Sequence, residues 1–142
     1  MITELQLSRL PELFREFAAL ADATSKAVAI YNIPYRTGVN LGSDAMLRLA
    51  ERANIVGVKD CCADPAQSFD LTRRRPAGFS VLTGEDAFFH AALAQGADGG
   101  ILASAHIRTA AFAEGLRLSR AGDAAGVRAG TTVRAGTTSG RS

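Results

Sequence analysis

Tryptophan is absent from this 142-residue sequence, and aromatic residues make up only 6% of it. The core must therefore be built mostly from aliphatic side chains and alanine. Cysteine occurs only as the neighbours Cys61 and Cys62. Two adjacent thiols cannot form a disulfide framework, so a reducing, cytoplasmic setting is expected. His90 and His106 stand apart, without any familiar ligand spacing, so no metal site is expected. Long apolar runs are missing too. Polar residues interrupt the N-terminal stretch, with acids at Glu4 and Glu12, so neither a signal peptide nor a membrane span is expected. The formal charge of +2 is too small to imply a nucleic-acid partner. Arg73-Arg74-Arg75 has no aromatic residues beside it and reads as a solvated helix face. Lysine is also scarce: Lys26 and Lys59 stand against fourteen arginines.

What is present is an alternation of two hydrophobic periods. Leu10, Leu13, Phe14, Phe17 and Ala21 recur at helical spacing. Ala27-Val28-Ala29-Ile30-Tyr31 is a short continuous apolar run, which suits a strand buried on both faces. Met46, Leu49, Ala50 and Ala53 mark a second helix, with Ser43 as its expected N-cap. Ile55-Val56-Gly57-Val58-Lys59 is a second strand. Asp64-Pro65 opens the next helix and Pro76 stops it. Phe79–Thr83 is a third strand. Glu85 or Asp86 opens a helix that Gly96 closes. Gly99–Ala103 is a fourth strand, and a last helix runs from about Thr109 to Arg120.

Such alternation implies an α/β fold with a parallel sheet and right-handed crossovers. Tyr31, Lys59, Thr83 and Leu102 fall near the C-terminal ends of successive strands. No G-x-G-x-x-G follows the first strand, which argues against a dinucleotide site. The chain is long enough for one domain but too short for a whole (β/α)8 barrel, which needs about 200–250 residues or more. One structural unit is expected over residues 1–126. Residues 127–142 contain the tandem repeat Val127–Thr132 and Val133–Thr138 and are expected to form a low-complexity, disordered tail.

The chemistry-bearing candidates gather at the predicted strand ends. A lysine at such an end points into the mouth of a barrel, and one shielded from water there is a candidate nucleophile. The ordinary alternatives for Lys59 are a snorkelling side chain or a pair with Asp60. Tyr31 ends the neighbouring strand and could relay protons to an amine beside it. Arg36, in the following loop, could grip a carboxylate in bidentate fashion, although a surface arginine is the default reading. Gly84 allows close backbone approach to a ligand, or is just a tight turn. Gly96–Ile101 precedes a strand instead of opening a helix, so it makes a poor phosphate loop.

Taken in order, four segments are familiar. Tyr31-Asn32-Ile33-Pro34 with Arg36-Thr37-Gly38 resembles a Y-N-x-P-x-R-T-G signature. Asn54–Asp60 resembles N-I-x-G-x-K-[DE], Thr83–Asp86 resembles [ST]-G-[DE]-D, and Gly96–Ile101 resembles G-A-x-G-x-I. Together they resemble the dihydrodipicolinate synthase/N-acetylneuraminate lyase family, over roughly Thr3 to Arg128. The resemblance implies a partial (β/α)8 barrel: strands five to eight with their helices, a C-terminal half-barrel.

It further implies Lys59 as the imine-forming residue and Tyr31 as its proton shuttle. Arg36 would meet the carboxylate of a second substrate, and the backbone at Gly84 and Ile101 would line the pocket. The implied partners are a pyruvate-like 2-oxo acid and an aldehyde. No cofactor is implied beyond the covalent lysine imine. The implied activity is aldol addition or cleavage by a lyase. The other reading is a non-catalytic half-barrel fragment or assembly module, either self-associating or dependent on a missing N-terminal half.

Overall fold

The computed structural model describes residues 4–130. Helix α1 (Glu4–Asp22) leads into strand β1 (Val28–Asn32), a short turn of helix α2 (Pro34–Thr37) and helix α3 (Ser43–Leu49). Strand β2 (Ile55–Asp60), helix α4 (Pro65–Arg74) and strand β3 (Ser80–Thr83) follow. A 3-10 turn (Asp86–Phe88) and helix α5 (Phe89–Ala94) lead to strand β4 (Gly99–Gly100), then helices α6 (Ala105–Arg120) and α7 (Ala124–Gly130). The strands form one parallel sheet in the order β1-β2-β3-β4. The described residues thus form an α/β unit of successive strand–helix repeats.

Local chemistry accounts for the boundaries. The Asn54 side chain donates to the carbonyls of Ala21 (2.7 Å) and Thr24 (2.9 Å), satisfying groups that the end of α1 leaves unpaired. The Asp64 carboxylate accepts from the Ala66 N–H at 2.9 Å, with Pro65 in the first turn, as the sequence predicts for α4. At α3 the structure differs: Gly42 occupies the cap position and Ser43 is the first helical residue, with no side-chain cap bond. The last helix begins earlier than its periodicity predicts, at Ala105, but Arg108 breaks it with φ −128° and ψ 43°. Regular helix thus resumes near the predicted Thr109.

The main core lies between the sheet and α1, α3 and α4. Ile30, Met46, Leu49, Val58, Leu71 and Val81 are almost wholly buried there. Each such side chain contributes about 1.5–3 kcal/mol. A second cluster joins Phe89, Leu93 and Leu102, with Phe112 edge-on to Phe89 at 5.2 Å.

The opposite sheet face is largely open. Tyr31 is 49% exposed and Ile101 52%, and Ala29 is exposed as well. The continuous apolar run at β1 therefore corresponds to a strand buried on one face only. Helices cover that face, while Ala29, Tyr31 and Ile101 leave the other largely exposed. Strand β4 is shorter than the run Gly99–Ala103 because Leu102 turns into the second cluster. At the C-terminal end, α7 continues through the start of the repeat, and Val127 is buried. The expected tail thus begins within a helix; its residues 131–142 lie outside the described residues. No described helix is long and apolar enough to cross a membrane.

Candidate active site

Three backbone hydrogen bonds build the rim at the C-terminal end of the sheet. The carbonyls of Asn32, Asp60 and Thr83, each the last residue of its strand, accept from Cys61, Gly84 and Ile101 at 2.8, 2.8 and 2.9 Å. Cys61, Gly84 and Ile101 therefore hold equivalent positions on successive strands. One residue below this rim, Tyr31, Lys59, Leu82 and Gly99 lie in register across the sheet.

A register shift sets the key pairing. Val28 pairs with Ile55, but Ala29 pairs with Gly57, leaving Val56 as an extra residue on β2. Without this irregularity Tyr31 would face Val58; with it, Tyr31 faces Lys59. Because side chains alternate along a strand, a shift of one residue decides which face each group reaches. Here it puts the phenol and the amine on the same open face. The Lys59 Nζ lies 4.0 Å from the centroid of the Tyr31 ring. An ammonium over an aromatic face gains about 0.5–2 kcal/mol, depending on desolvation. Lys26, by contrast, is exposed ahead of β1.

Gly84 lies close against Lys59 and Cys61. A β-carbon there would lie 2.8 Å from Lys59 Cε and closer still to Cys61 Sγ. Its lack of a side chain lets the turn after β3 close over the lysine arm. Burial pushes the Cys61 thiol up from its ordinary value. The Glu85 carboxylate adds to this, while the Lys59 amine and Tyr31 hydroxyl pull it back. Cys61 therefore stays a thiol at neutral pH and does not compete with the amine as a nucleophile. A hydrogen bond to Glu85 raises the Tyr35 phenol, while Glu85 Oε1 is buried with no hydrogen-bond partner among the described residues. No motif marks Cys61, whereas Glu85 is the acidic position of the [ST]-G-[DE]-D segment; the loops after β2 and β3 bring the two together.

Arg36 stands apart. It is exposed on α2, with its guanidinium 5.8 Å from the Tyr35 ring centroid and no contact to Lys59. The loop beyond it turns back at Gly38. Gly38 adopts φ 72°, and Thr37 Oγ1 donates to the carbonyls of Ile33 and Val39. Asp60 does not pair with Lys59. Its carboxylate lies on the helix side of the sheet, where Asn32 donates to it at 2.9 Å and Ser68 at 2.8 Å. A cavity of about 300 Å³ runs between α1 and β1 and reaches Tyr31, but not Lys59. Among the described residues no group of three or more His, Cys, Asp and Glu could hold a metal ion.

Comparison with known proteins identifies the family. The model of the dihydrodipicolinate synthetase family matches residues 8–134. The chain belongs to the dihydrodipicolinate synthetase family. It is similar to 4-hydroxy-tetrahydrodipicolinate synthase 2 of Clostridium acetobutylicum, with 48% identity over 111 residues, covering 78% of this chain and 39% of that protein. The Laribacter hongkongensis 4-hydroxy-tetrahydrodipicolinate synthase is 40% identical over 78% of this chain and 38% of its own length. The crystal structure of dihydrodipicolinate synthase from Aquifex aeolicus superposes with a TM-score of 0.81 at 30% identity, covering 85% of this chain and 42% of that one. The Acinetobacter baumannii enzyme, solved with pyruvate, gives a TM-score of 0.81 at 32% identity, covering 85% and 42%. The chain thus spans about two fifths of the length of these family members, and its four parallel strands match part of their barrel.

Proposed function

We propose that the chain carries the Schiff-base half of a dihydrodipicolinate synthase-like lyase, with Lys59 as the imine-forming residue. The reading rests on the Lys59 amine held over the Tyr31 ring at the C-terminal rim of a parallel sheet. That is where barrel enzymes gather their reacting groups. Family membership supports it. In this reading the strands are the fifth to eighth of a (β/α)8 barrel.

The Lys59 nitrogen adds to the ketone carbon of a pyruvate-like 2-oxo acid, and water leaves to give an iminium. Loss of a proton from the adjacent carbon gives an enamine, whose carbon attacks an aldehyde. Hydrolysis then returns the free amine. Tyr31 passes protons during these steps, and the Gly84 and Ile101 backbone lines the pocket. Arg36 meets the carboxylate of the second substrate through movement of its loop, since it faces solvent in this structure.

Incubating the 142-residue chain with pyruvate and borohydride, then digesting it, tests the reading. The expected product is a reduced pyruvate adduct on the Lys59 peptide. An unmodified Lys59 in a folded sample would overturn it.

A second reading has its own support. Strand β1 is an edge of the sheet, and Ala29 and Tyr31 on it are exposed. Uncovered edges invite pairing with another chain. A non-catalytic assembly module, self-associating or bound to a separate N-terminal half, would show concentration-dependent mass in sedimentation and no pyruvate adduct.

A further inference from the structure

A buried polar network lies behind the amine, on the opposite face of the sheet. Asp60 is 5% exposed and Asn32 4%. Asp60 Oδ1 accepts from Asn32 Nδ2 at 2.9 Å and from the Cys62 N–H at 3.1 Å; Oδ2 accepts from Ser68 Oγ at 2.8 Å. Asn32 Nδ2 also donates to Asn40 Oδ1 at 3.0 Å, and its own Oδ1 accepts from the Leu41 N–H at 3.1 Å. Asn40 and Gln67 then exchange hydrogen bonds at 2.7 and 3.3 Å. The network ties β1, β2, the loop before α3 and helix α4 into one unit.

Stability alone does not account for it. Burying a carboxylate is unfavourable, and no cation pairs with Asp60 among the described ion pairs. What the network does fix is geometry. Asn32 directly follows Tyr31, and Asp60 directly follows Lys59. The bond between Asn32 and Asp60 therefore locks together the two backbone segments whose preceding side chains meet on the other face.

We infer that Asp60, held by Asn32 and Ser68, is a positioning residue that keeps the Lys59 amine over the Tyr31 ring. This deepens the imine reading above and rests on it for its chemical meaning. The charge matters less than the grip: Asp60→Asn keeps an oxygen for Asn32 and for the Cys62 N–H, and the Ser68 hydroxyl can reverse to accept from the new amide.

The chain's two lysines supply the test. Limited acetylation of the full chain, read by mass spectrometry, gives the reactivity of Lys59 relative to exposed Lys26. Pyruvate–borohydride trapping is measured alongside, over a range of pyruvate concentrations. Asp60→Ala is expected to raise the Lys59-to-Lys26 labelling ratio several-fold and to lower the maximal trapping rate about tenfold, near 1.4 kcal/mol. Its half-saturating pyruvate concentration should change little. Asp60→Asn should restore most of both, and the core variant Leu71→Ala should leave the labelling ratio unchanged.

A wild-type ratio in folded Asp60→Ala overturns the proposal, as does an equal shift in Leu71→Ala. Should Asp60→Ala fail to fold, Ser68→Ala removes one of the three bonds, and an unchanged ratio there overturns it as well. If the wild-type chain traps no pyruvate, the imine reading falls, and the labelling ratio still decides the positioning role.

Discussion

Gly84 and Lys59 are in contact across the rim of the sheet: a β-carbon on the glycine would lie 2.8 Å from the lysine Cε. The lysine arm can yield, but the buried Cys61 thiol is closer still, so Gly84→Ala is expected both to push the lysine off the Tyr31 ring and to strain the packing around Cys61. A displacement of about 1 Å at a reacting group costs on the order of 100-fold in rate. Pyruvate trapping at Lys59 should fall by about that factor, and the thermal midpoint should drop as well, because the Cys61 thiol must move. Wild-type trapping in Gly84→Ala would show that the close approach has no chemical role.

Tyr31→Phe separates two roles of one side chain. The ring face under the amine remains, but the hydroxyl is lost. If the phenol passes protons, trapping should slow by about 10²–10⁴-fold. The labelling of Lys59 relative to Lys26 should stay as in the wild type. Tyr31→Leu removes the ring face as well and should change both measurements.

Burial holds the His90 imidazole below its ordinary value of 6.5. The unfolded chain therefore takes up this proton more readily than the folded one. The contribution to stability is complete above the ordinary value and is lost as pH falls through the lower, folded value. Urea midpoints should decline as pH falls from about 7.5 to about 5. His90→Gln should flatten that decline, and an unchanged slope in the variant would assign it to other groups.

Leu71 is fully buried on α4 against the sheet. Leu71→Ala removes that packing and leaves a cavity, at a cost of about 2–5 kcal/mol. Chemical denaturation of the variant should show this as a lower midpoint with an unchanged slope.

Much of this architecture is legible in the sequence, because hydrophobic period and punctuation are local signals. Asp64-Pro65 and Pro76 mark the ends of α4, and the runs at Ile30, Val58 and Val81 mark buried strands. The lysine at the end of β2 is legible for the same reason. The register of β1 against β2 is not: the extra residue Val56 that brings Tyr31 opposite Lys59 exists only once the strands pair. The open face is also illegible, since Ala29 and Tyr31 are apolar whether or not anything covers them. Asn32 and Asp60 did leave a trace. Each is a polar residue at a position whose neighbours two places back, Ile30 and Val58, are buried. That contradiction resolves only when their side chains meet across the strands.

The two faces of this sheet therefore carry unequal freedom to change. On the open side, an exposed residue such as Ala29 can be exchanged at little cost to the fold. On the helix side, every exchange near Asp60 would be felt through the backbone by the amine. Sequence change should thus accumulate on one surface, while the other resists substitution.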